Sequence, residues 1–298
     1  MIPPKSKPMR MEQPVIGYTL GDQAGIGPEV IRAALAQAPT GAEYRLIGSE
    51  IPCTPGCPTR QTAQAAQEHL EMAAEALRSG SIDAVVTAPI CKEALHQLGF
   101  AYPGQTEFFA DRLGVKDFAM CLTGKHLTVA LCTTHVAVAD VPRLLRTDEI
   151  VRVGSLLTRF LQRTGKEHPR IALAGLNPHN GENGAFGNEE QTLIAPAIKQ
   201  LRQTLPQAEF HGPCVPDCVY RDAAQGLYDG IVAPYHDQAL IPLKLLDFDN
   251  AVNATIGLPR LRVSPDHGTA FGIAGKGIAS AASTLRAFEV ALSSAAKS

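Results

Sequence analysis

The chain has 298 residues, a formal net charge of -2, and a composition that is 45% hydrophobic and 19% charged. This length suits one large or two medium domains with a buried core. The balanced charge gives no reason to expect nucleic acid or an anionic membrane as a partner. No apolar run reaches the roughly 20 residues that a membrane span needs.

The N-terminal stretch and the cysteines both indicate a cytoplasmic protein. The stretch "MIPPKSKPMRMEQP" is basic and proline-rich without an apolar run behind it, so a disordered leader is expected rather than a signal peptide. The seven cysteines are scattered, which favours free thiols in a reducing compartment. The pairs "CTPGC" and "CVPDC" lack the two-residue spacing of common zinc knuckles, so a four-thiolate site is not expected.

Strand-like and helix-like runs alternate along the chain. In order, "PVIGYTL" predicts a strand, "PEVIRAALAQA" a helix started by Pro28, "YRLIG" a strand, and "TAQAAQEHLEMAAEALRSG" a helix closed by Gly80. Then "DAVVTAP" and "LTVALCTTH" predict strands, and "TDEIVRVGSLLTRFLQRTG" a helix with Thr147 as N-cap. Strands at "IALAG" and "DGIVAPY" and a helix at "ASTLRAFEVALSSA" follow. This alternation predicts an α/β fold with a largely parallel sheet, and two domains that share a cleft are expected.

The residues that follow the predicted strands are the first candidates for a site, because ligands of open α/β sheets bind outside the carboxyl ends of strands. After the first strand, "GDQAGIGPE" resembles a phosphate-binding glycine loop. It lacks the lysine of that motif and does not match G-x-G-x-x-G in register. A tight turn into a helix explains it equally well.

Three later strands are each followed by a histidine: His135, His179 and His236. One such histidine is usually a hydrogen-bonded structural residue, but three at equivalent positions indicate a metal site, since three imidazoles with an open fourth position form a catalytic zinc-type centre. His179 lies in "GLNPHNGENG", whose glycines and asparagines are expected to give it backbone freedom. His267 is an intermediate candidate, and the other histidines are weaker ones.

Basic and amide side chains follow the third histidine. Lys244, Asn253 and Arg262 lie among apolar residues, where they either meet an anionic ligand or form ordinary ion pairs. Asp217 and Asp237 are candidate acceptors that orient imidazole ligands.

Several segments together resemble the 4-hydroxythreonine-4-phosphate dehydrogenase family: "GDQAGIGPE", "TAPICKEAL", "GQTEFFA", "LTVALCTTHVAVADVP", "RIALAGLNPHNGENGAFGNEE", "YHDQALIPLK", "VNATIGLP" and "SPDHGTAFGIAGKG". The resemblance runs in order from about Gly21 to Ala279. It implies a fold similar to isocitrate and isopropylmalate dehydrogenases, with two α/β/α domains and no Rossmann fingerprint. We expect residues 1–105 plus 254–298 to form the first domain and residues 106–253 the second, which carries the metal site and dimer contacts.

The resemblance also implies the site residues. It puts the metal on His135, His179 and His236, and gives substrate contacts to the residues Gln105, Thr106, Lys244, Asn253 and Arg262. We expect catalytic roles for Lys244, either as a proton donor or as a phosphate clamp, and, from their position as acceptors that orient the imidazoles, for Asp217 and Asp237. The metal ligands of the family come from both subunits, which implies a homodimer with the active site at its interface.

The implied reaction is NAD- or NADP-linked oxidation of 4-phosphooxy-L-threonine to 2-amino-3-oxo-4-phosphooxybutanoate. This product then decarboxylates to 3-amino-2-oxopropyl phosphate in vitamin B6 biosynthesis. A single divalent metal, zinc, cobalt or magnesium, would lower the pKa of the substrate hydroxyl, and imidazole ligands suit zinc or cobalt better than magnesium. The nicotinamide would accept the hydride.

The chain departs from the family pattern at Gln105, where the family has a histidine. Glutamine can form a hydrogen bond but cannot carry a proton or a positive charge, so substrate preference follows less directly than reaction type. The segment between "YRLIGS" and the helix at Thr62 is also short for the family, which is expected to remove a peripheral strand pair.

Three other functions remain open from the sequence. A catabolic dehydrogenase of phosphorylated threonate or erythronate would use the same groups. A metal hydrolase or aldolase would use the histidines without a nucleotide. A catalytically silent binding protein would retain only the cleft.

Overall fold

The computed structural model describes residues 13–296, which form one ten-stranded sheet with helices on both faces. The predicted leader therefore lies largely outside the described residues. The strands are β1 (Val15–Thr19), β2 (Glu43–Leu46), β3 (Ala84–Thr87), β4 (Ala119–Thr123), β5 (Thr128–Leu131), β6 (Arg170–Ala174), β7 (Glu209–Cys214), β8 (Gly230–Ala233), β9 (Val252–Ile256) and β10 (Leu261–Pro265).

The helices occupy most of the intervening segments. They are α1 (Gly27–Leu35), α2 (Arg60–Ser79), α3 (Lys92–Gln97), α4 (Gln105–Arg112), α5 (Val141–Leu144), α6 (Thr147–Arg163), α7 (Ala195–Thr204), α8 (Pro216–Ala224), α9 (His236–Asp247) and α10 (Ala282–Ala295).

The sheet has the strand order β2-β1-β3-β10-β9-β4-β5-β8-β6-β7. Two parallel groups, β2-β1-β3-β10 and β5-β8-β6-β7, flank the central strands β9 and β4, which pair antiparallel with their neighbours. The two parallel groups consequently run in opposite directions. This arrangement confirms the α/β prediction and differs from the strand order of a Rossmann fold.

Every strand and helix that the sequence predicted is present. Pro28 lies in the first turn of α1, and α2 buries Ala66, Leu70, Ala73 and Leu77 before ending at Gly80 with a φ of 77°. Glycine suits this end because a positive φ is costly for residues with a Cβ atom.

The predicted N-cap of α6 is wrong by one residue. The helix begins at Thr147, and Arg146 occupies the N-cap position without a side-chain hydrogen bond. The Thr147 hydroxyl instead donates to the backbone carbonyl of Leu193, 3.2 Å away. The Thr147 hydroxyl therefore forms a tertiary hydrogen bond and does not cap the helix.

The two faces of the sheet are covered differently. On one face a continuous core joins the strands to α1, α6, α7 and α10. On the other face the apolar cover is divided into a cluster under α2, α3 and α4 and a cluster under α8 and α9. The gap between these two clusters lies over the central strands and forms a cleft.

The predicted domain division remains a prediction. One of its boundaries, between residues 253 and 254, falls within β9, and the other falls at the start of α4. Phe108 and Phe109 of α4 pack in the same cluster as Leu70 of α2. Within residues 13–296, no helix is long and apolar enough to cross a membrane.

Candidate functional site

The cleft over the central strands has a volume of about 840 Å³, within the usual range for small-molecule sites. Because successive strand residues point to opposite faces, Arg262 and Ser264 of β10 line the cleft, whereas Leu261 and Val263 belong to the core behind the sheet. Asn253 of β9 lines it by the same alternation. The polar positions of these strands therefore build the floor of the site.

Arg262 is the most buried charge in the cleft, with 2% of its surface exposed. Its Nε donates to the Thr87 hydroxyl at 2.9 Å, and its guanidinium lies 5.9 Å from the centre of the Phe109 ring. Burial lowers the pKa of Arg262 to about 9, although the charge of Glu107 opposes this shift. Among the described residues no carboxylate forms an ion pair with it, so an anionic ligand would supply the missing partner.

Lys244, on α9, reaches the cleft from the opposite side. Its Nζ lies 2.8 Å from Oδ2 of Asp266, which directly follows β10. Asp266 was not among the residues singled out from the sequence, because β10 was not predicted as a strand and its carboxyl end was therefore not sampled. Lys92 also lines the cleft, although it was not predicted from the sequence. Its ammonium group lies close to Gly104: a Cβ atom at that position would be 3.6 Å from the Lys92 Nζ.

Two amide side chains present free acceptor atoms. Gln105 Nε2 donates to the carbonyl of Ala88 at 3.3 Å, which leaves its Oε1 buried without a partner in the described part of the chain. Since a carbonyl can only accept, the amide nitrogen must face Ala88 and the oxygen remains free. Oδ1 of Asn253 is likewise buried without a donor. Thr106 lies beside these groups and accepts a hydrogen bond from Thr255 at 3.3 Å.

His135 and His236 come together at one end of the cleft, with ring centroids 5.6 Å apart. Contacts between the segments that follow β5 and β8 hold them there: Cys132 N donates to the Ala233 carbonyl at 2.9 Å, and the Thr133 hydroxyl donates to the Pro234 carbonyl at 2.8 Å. Oδ1 of Asp237 lies 2.6 Å from Nδ1 of His236. This contact leaves Nε2 as the ring atom available for a metal.

His179 lies outside the cleft of its own chain, on an exposed loop that follows β6. The loop adopts backbone conformations that its glycines and asparagines permit, and hydrogen bonds hold it in place. Residues His179 to Asn183 all have positive φ angles. The buried carboxylate of Glu190 accepts from the backbone N–H groups of Leu176 and Asn177 at 2.8 and 2.7 Å. A Cβ atom on Gly181 would come within 2.4 Å of the Gly187 carbonyl oxygen, so the loop also depends on glycine there.

His267, the intermediate candidate, lines the cleft, whereas Asp217 and the glycine-rich segment after β1 do not. Asp217 is exposed in the first turn of α8, and no contact with a histidine places it at the site. The segment Asp22 to Gly25 is a turn before α1, closed by a 2.9 Å hydrogen bond from Gly25 N to the Asp22 carbonyl. Within residues 13–296, no three His, Cys, Asp or Glu side chains are grouped closely enough to hold a metal in one chain.

Comparison with known proteins decides the family. A family model described as "Pyridoxal phosphate biosynthetic protein PdxA" matches residues 23–291. The chain belongs to the PdxA family. A 4-hydroxythreonine-4-phosphate dehydrogenase from Desulfosudis oleivorans is 40% identical to it, over 95% of this chain and 97% of that protein.

One similar relative has a different name, and a solved structure has the same name. A D-threonate 4-phosphate dehydrogenase from Pectobacterium atrosepticum is 37% identical, over 93% of this chain and 98% of that protein. The solved 4-hydroxythreonine-4-phosphate dehydrogenase of Klebsiella pneumoniae is 37% identical with a TM-score of 0.82, covering 97% of this chain and 100% of that chain. The resemblance found in the sequence is thus confirmed, and so is the α/β fold that it implied.

Proposed function

We propose that this protein is an NAD- or NADP-dependent dehydrogenase that oxidises 4-phosphooxy-L-threonine to 2-amino-3-oxo-4-phosphooxybutanoate in vitamin B6 biosynthesis. The observation that carries the proposal is the pairing, in one cleft, of a buried unpaired guanidinium with two converging imidazoles. The first suits a phosphate or carboxylate, and the second suits a secondary alcohol activated by a metal. The PdxA membership and the names of the relatives support the same reaction.

The phosphate end of the substrate is assigned to Arg262 and Thr106. Arg262 has one hydrogen bond to a hydroxyl and no carboxylate partner among the described residues, so its remaining N–H donors are free for phosphate oxygens. A charge-assisted hydrogen bond is worth about 1.5–3 kcal/mol. Binding a dianion here also compensates the desolvation of the guanidinium.

Lys244 is assigned to the reacting end of the cleft, because α9 carries both His236 and Lys244 into it. Its 2.8 Å contact with Asp266 holds the ammonium group in place. Oxidation of the hydroxyl gives a β-keto acid, whose loss of carbon dioxide requires a proton at the resulting carbanionic carbon. We assign this donation to the side chain of Lys244, which lines the cleft.

The amide oxygens of Gln105 and Asn253 are assigned to donor groups of the substrate. Both oxygens are buried without hydrogen-bond donors, and each would gain one from a substrate ammonium or hydroxyl group. Leaving such an acceptor unpaired costs about 1–3 kcal/mol, so these two atoms favour a substrate that carries donors over one that does not.

The donor set fits a divalent metal such as zinc or cobalt. His135 and His236 would hold it, with Asp237 orienting the His236 ring, and imidazole ligands with a carboxylate behind them are typical of such sites. When bound, the metal supplies Lewis acidity that lowers the pKa of the substrate hydroxyl. We assign the third ligand to His179 of a second subunit, since His179 lies outside its own cleft.

A homodimer is part of this proposal. Exposed apolar side chains lie beside the cleft, on α9, at its C-cap and next to His135: Ile241, Leu245, Phe248, Val136 and Val138. Exposed apolar groups of this kind at a site border are typical of subunit contacts. The proposed cytoplasmic location agrees with the free state of the seven cysteines.

A nicotinamide nucleotide fits the cleft as the hydride acceptor. The volume of about 840 Å³ leaves room for a nicotinamide ring beside a four-carbon substrate. The nucleotide supplies the redox chemistry, whereas the cleft residues bind and orient the substrate and exclude water. A metal hydrolase or aldolase would need no nucleotide, so nucleotide dependence separates these classes.

Oxidation of phosphorylated threonate is the second candidate, and Gln105 is the observation that favours it. The charge of the family histidine is absent here, and a D-threonate 4-phosphate dehydrogenase is among the relatives. The deciding experiment is a screen of both phosphorylated acids with NAD and NADP, with and without added zinc. Turnover that depends on nucleotide and prefers the amino acid supports the main proposal. Turnover without any nucleotide would exclude it.

A further inference from the structure

A second cavity lies at the end of the molecule where β5, β6 and β8 begin, opposite to the end that carries His135 and His236. It has a volume of about 500 Å³ and shares no lining residue with the cleft. The turn at residues 124–127 between β4 and β5, the C-terminal end of α6, the end of α8 and one side of α10 surround it.

The lining of this cavity has an excess of positive charge. Four cationic side chains lie on it, from Lys125, Lys166, Arg170 and Arg286, against the two carboxylates of Asp229 and Glu289. Asp229 is shared by Lys166 at 3.1 Å and Arg170 at 3.2 Å, and Glu289 pairs with Arg286 at 2.9 Å. Lys125 has no acidic partner among residues 13–296. The pairs therefore leave the cavity with two uncompensated positive charges.

The backbone around Lys125 is held in place. The buried carboxylate of Asp247, at the end of α9, accepts from the N–H groups of Lys125, His126 and Leu127 at 3.1, 2.9 and 3.1 Å. Three hydrogen bonds to one buried carboxylate fix the backbone of the turn. A ligand that binds at Lys125 therefore does not have to order this backbone, which lowers the cost of binding.

Arg286 adds a donor with no acceptor. One terminal nitrogen donates to the Gly124 carbonyl at 3.0 Å and the other contacts Glu289, but the Nε group is buried without a partner among residues 13–296. Buried N–H groups are nearly always hydrogen-bonded in folded proteins, so Arg286 retains an unused donor beside the cavity.

We propose that this cavity is a second binding site, separate from the cleft, for a small anion of the phosphate class. Lys125 and Arg286 bind the phosphate, and Phe160, Leu127 and Tyr228 form an apolar wall for the rest of the ligand. The excess of two positive charges on the lining, from Lys125 and from Lys166 and Arg170 sharing Asp229, matches a phosphate dianion. The volume suits a small molecule rather than a polypeptide.

The natural sequence contains no tryptophan, which permits a local test. The variant Tyr228→Trp places one fluorophore on the cavity wall, and inorganic phosphate and pyrophosphate are titrated at constant ionic strength with potassium chloride as the reference. We expect a saturable change of emission. When Lys125→Met is combined with Tyr228→Trp, phosphate binding should weaken roughly ten- to a hundredfold, because one charge-assisted hydrogen bond is lost. The control Lys199→Met, at an exposed position of α7, should leave it unchanged.

Equilibrium dialysis of labelled phosphate gives a second readout on the protein without tryptophan. Lys125→Met should remove one bound phosphate per chain, whereas Arg262→Met should leave that phosphate in place. The proposal is overturned by a response no larger than that to chloride, by equal losses from Lys125→Met and Lys199→Met, or by loss of the signal in Arg262→Met. The last result would place the bound ion in the cleft.

Discussion

Replacing Arg262 with methionine is expected to stabilise the protein while impairing its function. Burial lowers the pKa of this guanidinium from 12.5 to about 9. At about 1.4 kcal/mol per pKa unit, keeping the charge costs the folded state on the order of 5 kcal/mol. Methionine fills similar volume without a charge, and the lost hydrogen bond to Thr87 contributes about 1 kcal/mol. Allowing for partial relaxation, we expect the free energy of unfolding to rise by about 1–4 kcal/mol.

The same substitution should lower kcat/KM for the phosphorylated substrate by at least roughly ten- to a hundredfold, since one charge-assisted hydrogen bond accounts for that factor. Urea unfolding at neutral pH measures the first effect and steady-state kinetics the second. The matched control is Arg143→Met, at an arginine with 75% side-chain exposure and an ion pair to Asp140. It should change neither quantity appreciably, because exposed pairs are worth little.

The pH dependence has a defined sign. Between pH 9 and 12.5 the unfolded chain retains the proton on Arg262 and the folded chain loses it, so the wild-type protein gains stability with rising pH. The stability advantage of Arg262→Met should therefore be full below pH 9 and shrink above it. A variant that is less stable than wild type by more than about 1 kcal/mol, or an advantage that persists unchanged at pH 10, would refute the reasoning.

Three further predictions concern the proposed site and interface. His179→Ala should lose bound zinc and turnover together while unfolding at the same urea concentration, because the exposed loop contributes little core; metal retained at full stoichiometry would argue against it. Gln105→His should raise kcat/KM for 4-phosphooxy-L-threonine by no more than roughly a hundredfold, and a larger rise for that substrate alone would place the natural substrate elsewhere. Leu245→Asp, at an 83% exposed position of α9, should dissociate the dimer in sedimentation experiments, whereas Met72→Asp on α2, 52% exposed, should not. A monomeric wild type with full activity would contradict the interface.

The elements that the sequence predicted well are those with a clear pattern. The α2 stripe has helical spacing and end signals, and β3 and β6 are continuous apolar runs between turns. The strands β9 and β10 were missed because they are short and polar residues alternate with apolar ones in them, with Asn253 in β9 and Arg262 in β10. Recognising their alternation would have located both the cleft floor and Asp266.

The arrangement of the site was less predictable than its residues. Histidines after successive strands indicated a shared site, but sequence spacing does not show that the two parallel groups run in opposite directions across β9 and β4. The free oxygen of Gln105 depends on its contact with Ala88, a partner 17 residues away. Such details arise from tertiary packing, which local patterns do not encode.

The most direct test of the proposed reaction is the reduced-nicotinamide absorbance formed from 4-phosphooxy-L-threonine by the zinc-loaded protein, with D-threonate 4-phosphate measured in parallel. The account predicts nucleotide reduction with either NAD or NADP, release of carbon dioxide, and a higher kcat/KM for the amino acid. No nucleotide reduction with either coenzyme, or a clear preference for the threonate ester, would contradict it.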